Sequence, residues 1–179
     1  SVTSIGSYAF AGCSSLTSVV ILDGVTSIRN YAFYDCSSLK RVTIPSSVTS
    51  IGSSAFENIS LFTSNVYIYD IASWCSIDFG GYYSNPLCYG GYLYLNGESV
   101  TDLIIPEGVT SISEFAFVHC YGLKSVTIPE GVTSIDFDVF RYCSNLRYVY
   151  LKSTIPPTVL SSRIGPDCLI YVPKESLYN

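Results

Sequence analysis

Charge is scarce in this chain. Asp, Glu, Lys and Arg make up 13% of its 179 residues, about half the ~25% of an ordinary globular domain. Disordered chains combine abundant charge with few aromatics, whereas here aromatics reach 15%, with 16 Tyr. Lys and Arg number only nine against 14 Asp and Glu, a net charge of −5. That balance excludes a generic nucleic-acid binder, which needs a basic excess. Methionine is absent, from position 1 as well. The chain is therefore expected to start inside a longer protein, and a missing leader says nothing about location. Long apolar runs are missing too. Residues 1–22 and 79–97 carry no charge, but Ser, Thr, Gly, Asn and Pro interrupt them, so no membrane insertion is expected from this segment.

Residues for catalysis are equally sparse. The single histidine, His119, precedes Cys120 in a repeat column otherwise filled by Gly12, Asp35, Asn58 and Tyr142. That column is expected to be exposed, and no activated nucleophile accompanies the histidine. There is no Cys-x-x-Cys pair for zinc and no Gly-rich phosphate loop. Asp136 and Asp138 supply too few oxygens for calcium. The acids fall mostly in turn-like stretches (Asp23, Asp35, Glu57, Glu107, Glu130), poor ground for the paired carboxylates of a glycoside hydrolase. The Asn58-Ile59-Ser60 sequon is read as coincidence. No enzyme, cofactor or metal is expected.

What the chain has is repetition. VTSIGSYAFAGCSSLTSVVIL from Val2 recurs as VTSIRNYAFYDCSSLKRVTIP from Val25, VTSISEFAFVHCYGLKSVTIP from Val109 and VTSIDFDVFRYCSNLRYVYLK from Val132. The step within each pair is 23 residues. Such a period means a solenoid, because one coil cannot bury its own apolar face and successive coils share a core. Leu39, Val42 and Ile44 suit a short strand with Val42 and Ile44 inward, ended by Pro45. Val-Thr-Ser-Ile suits a second extended piece. The spacing Ala-Phe-x-x-Cys-x-x-Leu predicts a short helical turn with Phe and Cys inward. Cys13, Cys36, Cys120 and Cys143 share one column, where Ile59 replaces Cys. Reduced, buried thiols acting as small apolar fillers are favoured there, with a Cys13–Cys36 disulfide as the alternative. Cys75, Cys88 and Cys168 lie outside the pattern.

The middle breaks the period. A repeat starts at Val48, but its strand comes one residue late, and Asn65 is read as the insertion. Residues 70–79 predict a short helix with Asp70 as N-cap and Ile71, Trp74 and Cys75 on one face. Residues 80–91 are read as loop, and Asn96-Gly97 as a hairpin turn. Leu103 and Ile105 return to the strand register. The expected organisation is a single domain: regular repeats over 1–64, an expanded coil over 65–105, regular repeats over 106–153 and a C-terminal cap over 154–179.

The pattern VTSI-x-x-x-AF-x-x-C-x-x-L-x-x-V-x-IP, as at 25–45 and 109–129, resembles the BspA-like leucine-rich repeat class. The resemblance covers about Val2 to Lys152, and the expanded coil (SWCSIDF, NPLCY, LYLNGESVTDLIIPEGVTSI) is similar to a variant found in gut-bacterial members. It implies an α/β fold, a right-handed leucine-rich-repeat solenoid with a curved sheet of short parallel strands. It also implies a secreted or wall-attached bacterial protein, non-catalytic, that binds host or microbial macromolecules. A spacer that displays other domains is the alternative function, and a glycan-processing enzyme a remote third.

Outward positions of the strand ladder are the candidate contact surface. They are Lys40, Arg41 and Thr43, then Tyr67, Lys124 and Thr127, then Arg147, Tyr148 and Tyr150. With Lys152, five of the nine basic residues lie on or beside this face. A basic, Tyr-bearing face suits a protein or an acidic glycan of a host or neighbouring microbe, although Lys and Thr also serve plain solubility and strand propensity.

Overall fold

The computed structural model describes residues 2–60, 64–136, 138–155, 157–158 and 167–173. Each regular coil contributes two short strands to two different parallel ladders. The Ser-Ile pairs form the back ladders: Ser4–Ile5, Ser27–Ile28, Ser50–Ile51 and Asp78–Phe79 in one, Ser111–Ile112 and Ser134–Ile135 in the other. The strands after each Leu form the front ladders. One runs Ser18–Val20, Arg41–Thr43, Ser64–Ile68 and Gly91–Leu95, with Glu98–Ser99 added antiparallel. The other runs Asp102–Ile104, Ser125–Ile128, Tyr148–Leu151 and Leu169–Tyr171.

Burial follows the repeat columns. One apolar cluster reaches from Ile21 to Leu151. The phenylalanine column forms stacks, with ring centroids 5.2 Å apart for Phe10–Phe33 and Phe33–Phe56 and 5.6 Å for Phe117–Phe140. Phe33 and Phe117 are fully buried, whereas Phe10, in the first coil, is 43% exposed. All described cysteines are free thiols. Cys36 and Cys143 are buried, and each Sγ–H donates to the carbonyl of Phe10 or Phe117 in the preceding coil, at 3.1 and 3.0 Å. Cysteine thus adds a weak donor to a small apolar volume. Cys13 departs from the buried expectation and is exposed, because no earlier coil covers it here.

The Ala-Phe-x-x-Cys segments are not helical. Alternate amides close turns within the coil, as Ala9 N–H to Gly6 O and Ala11 N–H to Tyr8 O. The others point along the solenoid axis, as Tyr8 N–H to Asn30 O, Phe10 N–H to Ala32 O and Gly12 N–H to Tyr34 O. A helix would consume every one of these amides internally. The alternation is set by left-handed residues four apart: Tyr8 and Gly12, Tyr31 and Asp35, Ser54 and Asn58, Phe115 and His119. The column of Gly12, Asp35, Asn58, His119 and Tyr142 is therefore a left-handed backbone position, and all but Tyr142 are residue types that tolerate positive φ best.

The expanded coil differs from expectation in several places. The helix covers only Ile71–Cys75, with Asp70 Oδ1 accepting from Ser73 N–H at 2.6 Å. Asp78–Phe79 is instead a strand, with Phe79 in the column of Ile51. Asn65 pairs with Arg41, so it belongs to the ladder and the added residue lies between Ile59 and Asn65. The Asn96-Gly97 turn does form a hairpin, both residues at positive φ. By folding Glu98–Ser99 onto the open edge of Gly91–Leu95, it splits the front into two ladders in place of the single sheet expected.

Side chains span the gap where this coil replaces regular backbone. In regular coils the Ala carbonyl accepts from the preceding Phe N–H. Ala116 O accepts instead from Trp74 Nε1–H at 2.8 Å and Asn85 Nδ2–H at 3.0 Å. Asn85 is fully buried, donates also to Phe115 O at 2.8 Å and accepts from Leu87 N–H at 2.8 Å. Of the expected cap, Leu169–Tyr171 extends the second front ladder and Thr158 bridges to Ser134. Residues 156, 159–166 and 174–179 of that segment lie outside the described residues.

Two outcomes test this packing by urea denaturation. Phe33→Ala should lower unfolding free energy by about 3–5 kcal/mol, and Phe10→Ala by much less because its ring is already part-solvated. Asn85→Leu should cost about 1–3 kcal/mol by leaving Phe115 O and the buried Leu87 N–H without their Asn85 partners, Ala116 O keeping its Trp74 donor; an unchanged midpoint would remove the bridging role of Asn85.

Candidate binding surface

The outward row of each front ladder follows from strand alternation. In the first ladder it comprises Ser18 and Val20, Arg41 and Thr43, Asn65 and Tyr67, then Tyr92 and Tyr94. In the second it comprises Asp102 and Ile104, Ser125 and Thr127, Tyr148 and Tyr150, then Leu169 and Tyr171. The two rows approach through Tyr92, whose ring lies against Gly122, and through the bridge between Gly91 and Cys120.

The predicted residues divide between the rows. The Arg41 guanidinium sits 4.0 Å from the centroid of the Tyr67 ring, which stacks on Tyr94 at 4.6 Å. Tyr148, Tyr150 and Tyr171 form a second aromatic group, with Tyr150 and Tyr171 stacked at 5.0 Å. Lys40, Lys124 and Arg147 are exposed, one residue ahead of their strands. Lys124 and Arg147 occupy adjacent coils, joined by Arg147 N–H to Lys124 O at 2.9 Å. Arg147 turns back to donate to Ser144 O. Thr127 is half-buried. Thr43 is corrected: at 6% exposure, between Val20 and Tyr67 in register, it offers little contact surface.

Sequence reading missed Tyr92, Tyr94 and Tyr171. The alternation in Gly91–Leu95 (GYLYL) and Leu169–Tyr171 (LIY) was the available signal. It also missed an acid on the basic face. Asp102 accepts from Ser125 Oγ–H at 2.5 Å and Thr101 Oγ1–H at 2.9 Å, bonds that hold its carboxyl below the usual range. The face is therefore an aromatic row with basic flanks rather than a uniformly positive stripe. Among the described residues, no group of three His, Cys, Asp or Glu could hold a metal, and no helix is long and apolar enough to cross a membrane.

His119, expected in solvent, is instead half-buried in a tyrosine cluster away from this face. Its Nε2 bonds Tyr82 Oη, and its Nδ1 lies 3.2 Å from Tyr121 Oη. Tyr82 donates to Cys88 O at 3.2 Å. That leaves its oxygen to accept from Nε2–H, and in the neutral ring Nδ1 then accepts from Tyr121 Oη–H. Arg141 lies over the rings of Tyr142 and Tyr82 and pairs with Asp138 at 2.9 Å. The cluster ties the expanded coil to the following repeats.

The family comparison agrees with the repeats. The family described as BspA type Leucine rich repeat region matches in six copies, over residues 1–77 and 90–161. No curated protein matches the chain. Among solved structures, a leucine-rich repeat protein from Eubacterium ventriosum is 27% identical over 77% of this chain and 32% of its own, with a TM-score of 0.46. The leucine rich repeat protein of T. pallidum is 25% identical over 75% of this chain and 58% of its own, at 0.40. One from Bacteroides ovatus is 22% identical over 86% and 60%, at 0.29. The chain thus spans about a third of the first of these proteins.

Acid should weaken the histidine cluster. Burial first, and then the Arg141 charge, hold the His119 pKa below the ordinary histidine value. Below about pH 6.5 the unfolded chain protonates this ring while the folded chain resists, so the unfolded state binds more protons. The stabilisation is complete above that pH and is lost as pH falls through the folded value. His119→Asn, which tolerates the same left-handed backbone, should flatten the decline in urea midpoint between about pH 7.5 and pH 5. An equally steep decline in the variant would assign it to other groups.

Proposed function

The chain belongs to the BspA-type leucine-rich repeat family, and from that premise we propose that it is a non-catalytic binding module of a secreted or cell-surface bacterial protein. The module coils right-handed, as parallel crossovers do. It contacts a protein or an acidic glycan of a host or neighbouring microbe through the outward row of the front ladders. The observation that supports this most is the set of exposed aromatics on that row, Tyr92, Tyr148, Tyr150 and Tyr171, flanked by Lys40, Arg41, Lys124 and Arg147. Tyr and Arg dominate interface hot spots, and flanking cations steer anionic partners.

Stacking on neighbouring coils also prepares the face. Tyr67 is held between Arg41 and Tyr94, so a partner meets rings that need little further ordering on contact.

Arrays of glycans and matrix proteins, probed at low and physiological salt, supply the partner. Reversing Lys40, Arg41, Lys124 and Arg147 to Glu should weaken capture roughly a hundredfold and remove its salt dependence, with the thermal midpoint little changed. Tyr94→Ala with Tyr150→Ala should weaken it about tenfold or more. Retention of parental affinity by both variants would exclude this face.

A further inference from the structure

On the back of the solenoid lies an open groove of about 550 Å³, lined by residues of four successive coils and by none of the outward row. Its wall is the first back ladder, where Ser4, Ser27, Ser50 and Asp78 share one register column. Inward-facing Ile28 and Ile51 turn those serines outward.

Neighbouring hydroxyls show what is left free. Thr26 and Thr49, one residue earlier, each donate to the carbonyl of the preceding coil at 3.2 Å. Among the described residues, the hydroxyls of Ser27, Ser50 and Ser53 make no such bond within the chain. Asn30 uses its Oδ1 to accept from Ser53 N–H at 3.0 Å, and its amide donors remain available.

The groove has a charge at each of two levels. Arg29 belongs to the second coil and Asp78 to the fourth, two ladder steps or about 10 Å apart. The ion pairs among the described residues are Arg141–Asp138 and Lys152–Glu107, and neither groove charge takes part. The floor is bare backbone. A Cβ on Gly52 would meet Asn30 Oδ1 at 2.3 Å, and one on Gly80 would meet Ser53 N at 2.9 Å. Glycine at both positions therefore lets the coils close up and leaves the floor without side chains.

We propose that this groove is a second binding site, for an uncharged saccharide chain running along the solenoid axis. Serine hydroxyls both donate and accept, Asp78 accepts and Arg29 donates through a planar fork. Vicinal sugar hydroxyls offer the same mixture of donors and acceptors. The opposite charges cancel, so the groove selects neither anion nor cation. Ile28 and Ile51 are buried beneath it, so it offers no apolar pocket for the anchoring side chains that many peptide-recognition modes use.

The test is calorimetric titration of the intact chain with cellohexaose, maltohexaose, mannohexaose and xylohexaose at low and high salt. At least one should bind, with affinity changing less than about twofold between salts because the ligand carries no charge. Asp78→Asn and Arg29→Gln should each weaken it about tenfold or more, with unchanged thermal midpoints. Ser27→Val with Ser50→Val, suited to a strand, should do the same. The Lys40, Arg41, Lys124, Arg147 charge-reversed variant should bind as the parent does, which separates this site from the front face. Absence of binding to all four sugars, or parental binding by the groove variants, would overturn the proposal.

Discussion

Burial in this protein is always between coils. A 23-residue turn of chain has an apolar column and a set of axial amides, and neither finds a partner within the same turn. Phe33 is dry because Phe10 and Phe56 lie on either side of it. Phe10, with a neighbour on one side only, is part-solvated. The same holds for hydrogen bonds, because alternate turn amides are satisfied only by carbonyls one coil away. Stability is therefore a nearest-neighbour property, as in other solenoids.

That constraint explains the buried side-chain donors of the expanded coil, Trp74 Nε1–H and Asn85 Nδ2–H. An irregular coil cannot present amides at the regular positions, yet the next repeat still needs donors for its carbonyls. Trp74 and Asn85 supply them at Ala116, and Tyr82 and Tyr121 enclose His119 a turn later. Gly91 belongs to the same repair, since a Cβ there would lie 2.0 Å from Ser64 O. The coil departs from the repeat in sequence while preserving the bonding that the repeat demands.

The surfaces follow from the same geometry. Residues that alternate outward in parallel register become rows, so a repeated tyrosine becomes a stack and a repeated serine becomes a line of hydroxyls. The front rows carry aromatic rings and cations, and the back groove carries hydroxyls and balanced charge. Chemically different faces on one narrow rod can serve different partners without sharing residues.

The repeated columns of Phe, Cys, Leu, Val and Ile determined the solenoid, its parallel ladders and the outward places of Arg41, Tyr67, Tyr148 and Tyr150, because burial at a fixed period leaves no other arrangement. The Gly12, Asp35, Asn58, His119 column also carried its meaning in residue type, as a left-handed backbone position, although spacing alone suggested a helical turn. Tertiary structure alone decided the rest. Thr43 is covered because of what lies beside it in neighbouring coils, and His119 is enclosed by phenols from residues 82 and 121. Arg29 and Asp78 line one groove although 49 positions separate them in the chain. Periodicity ranks residues within a coil, but contacts between an irregular coil and its neighbours depend on three-dimensional closure that no local spacing encodes.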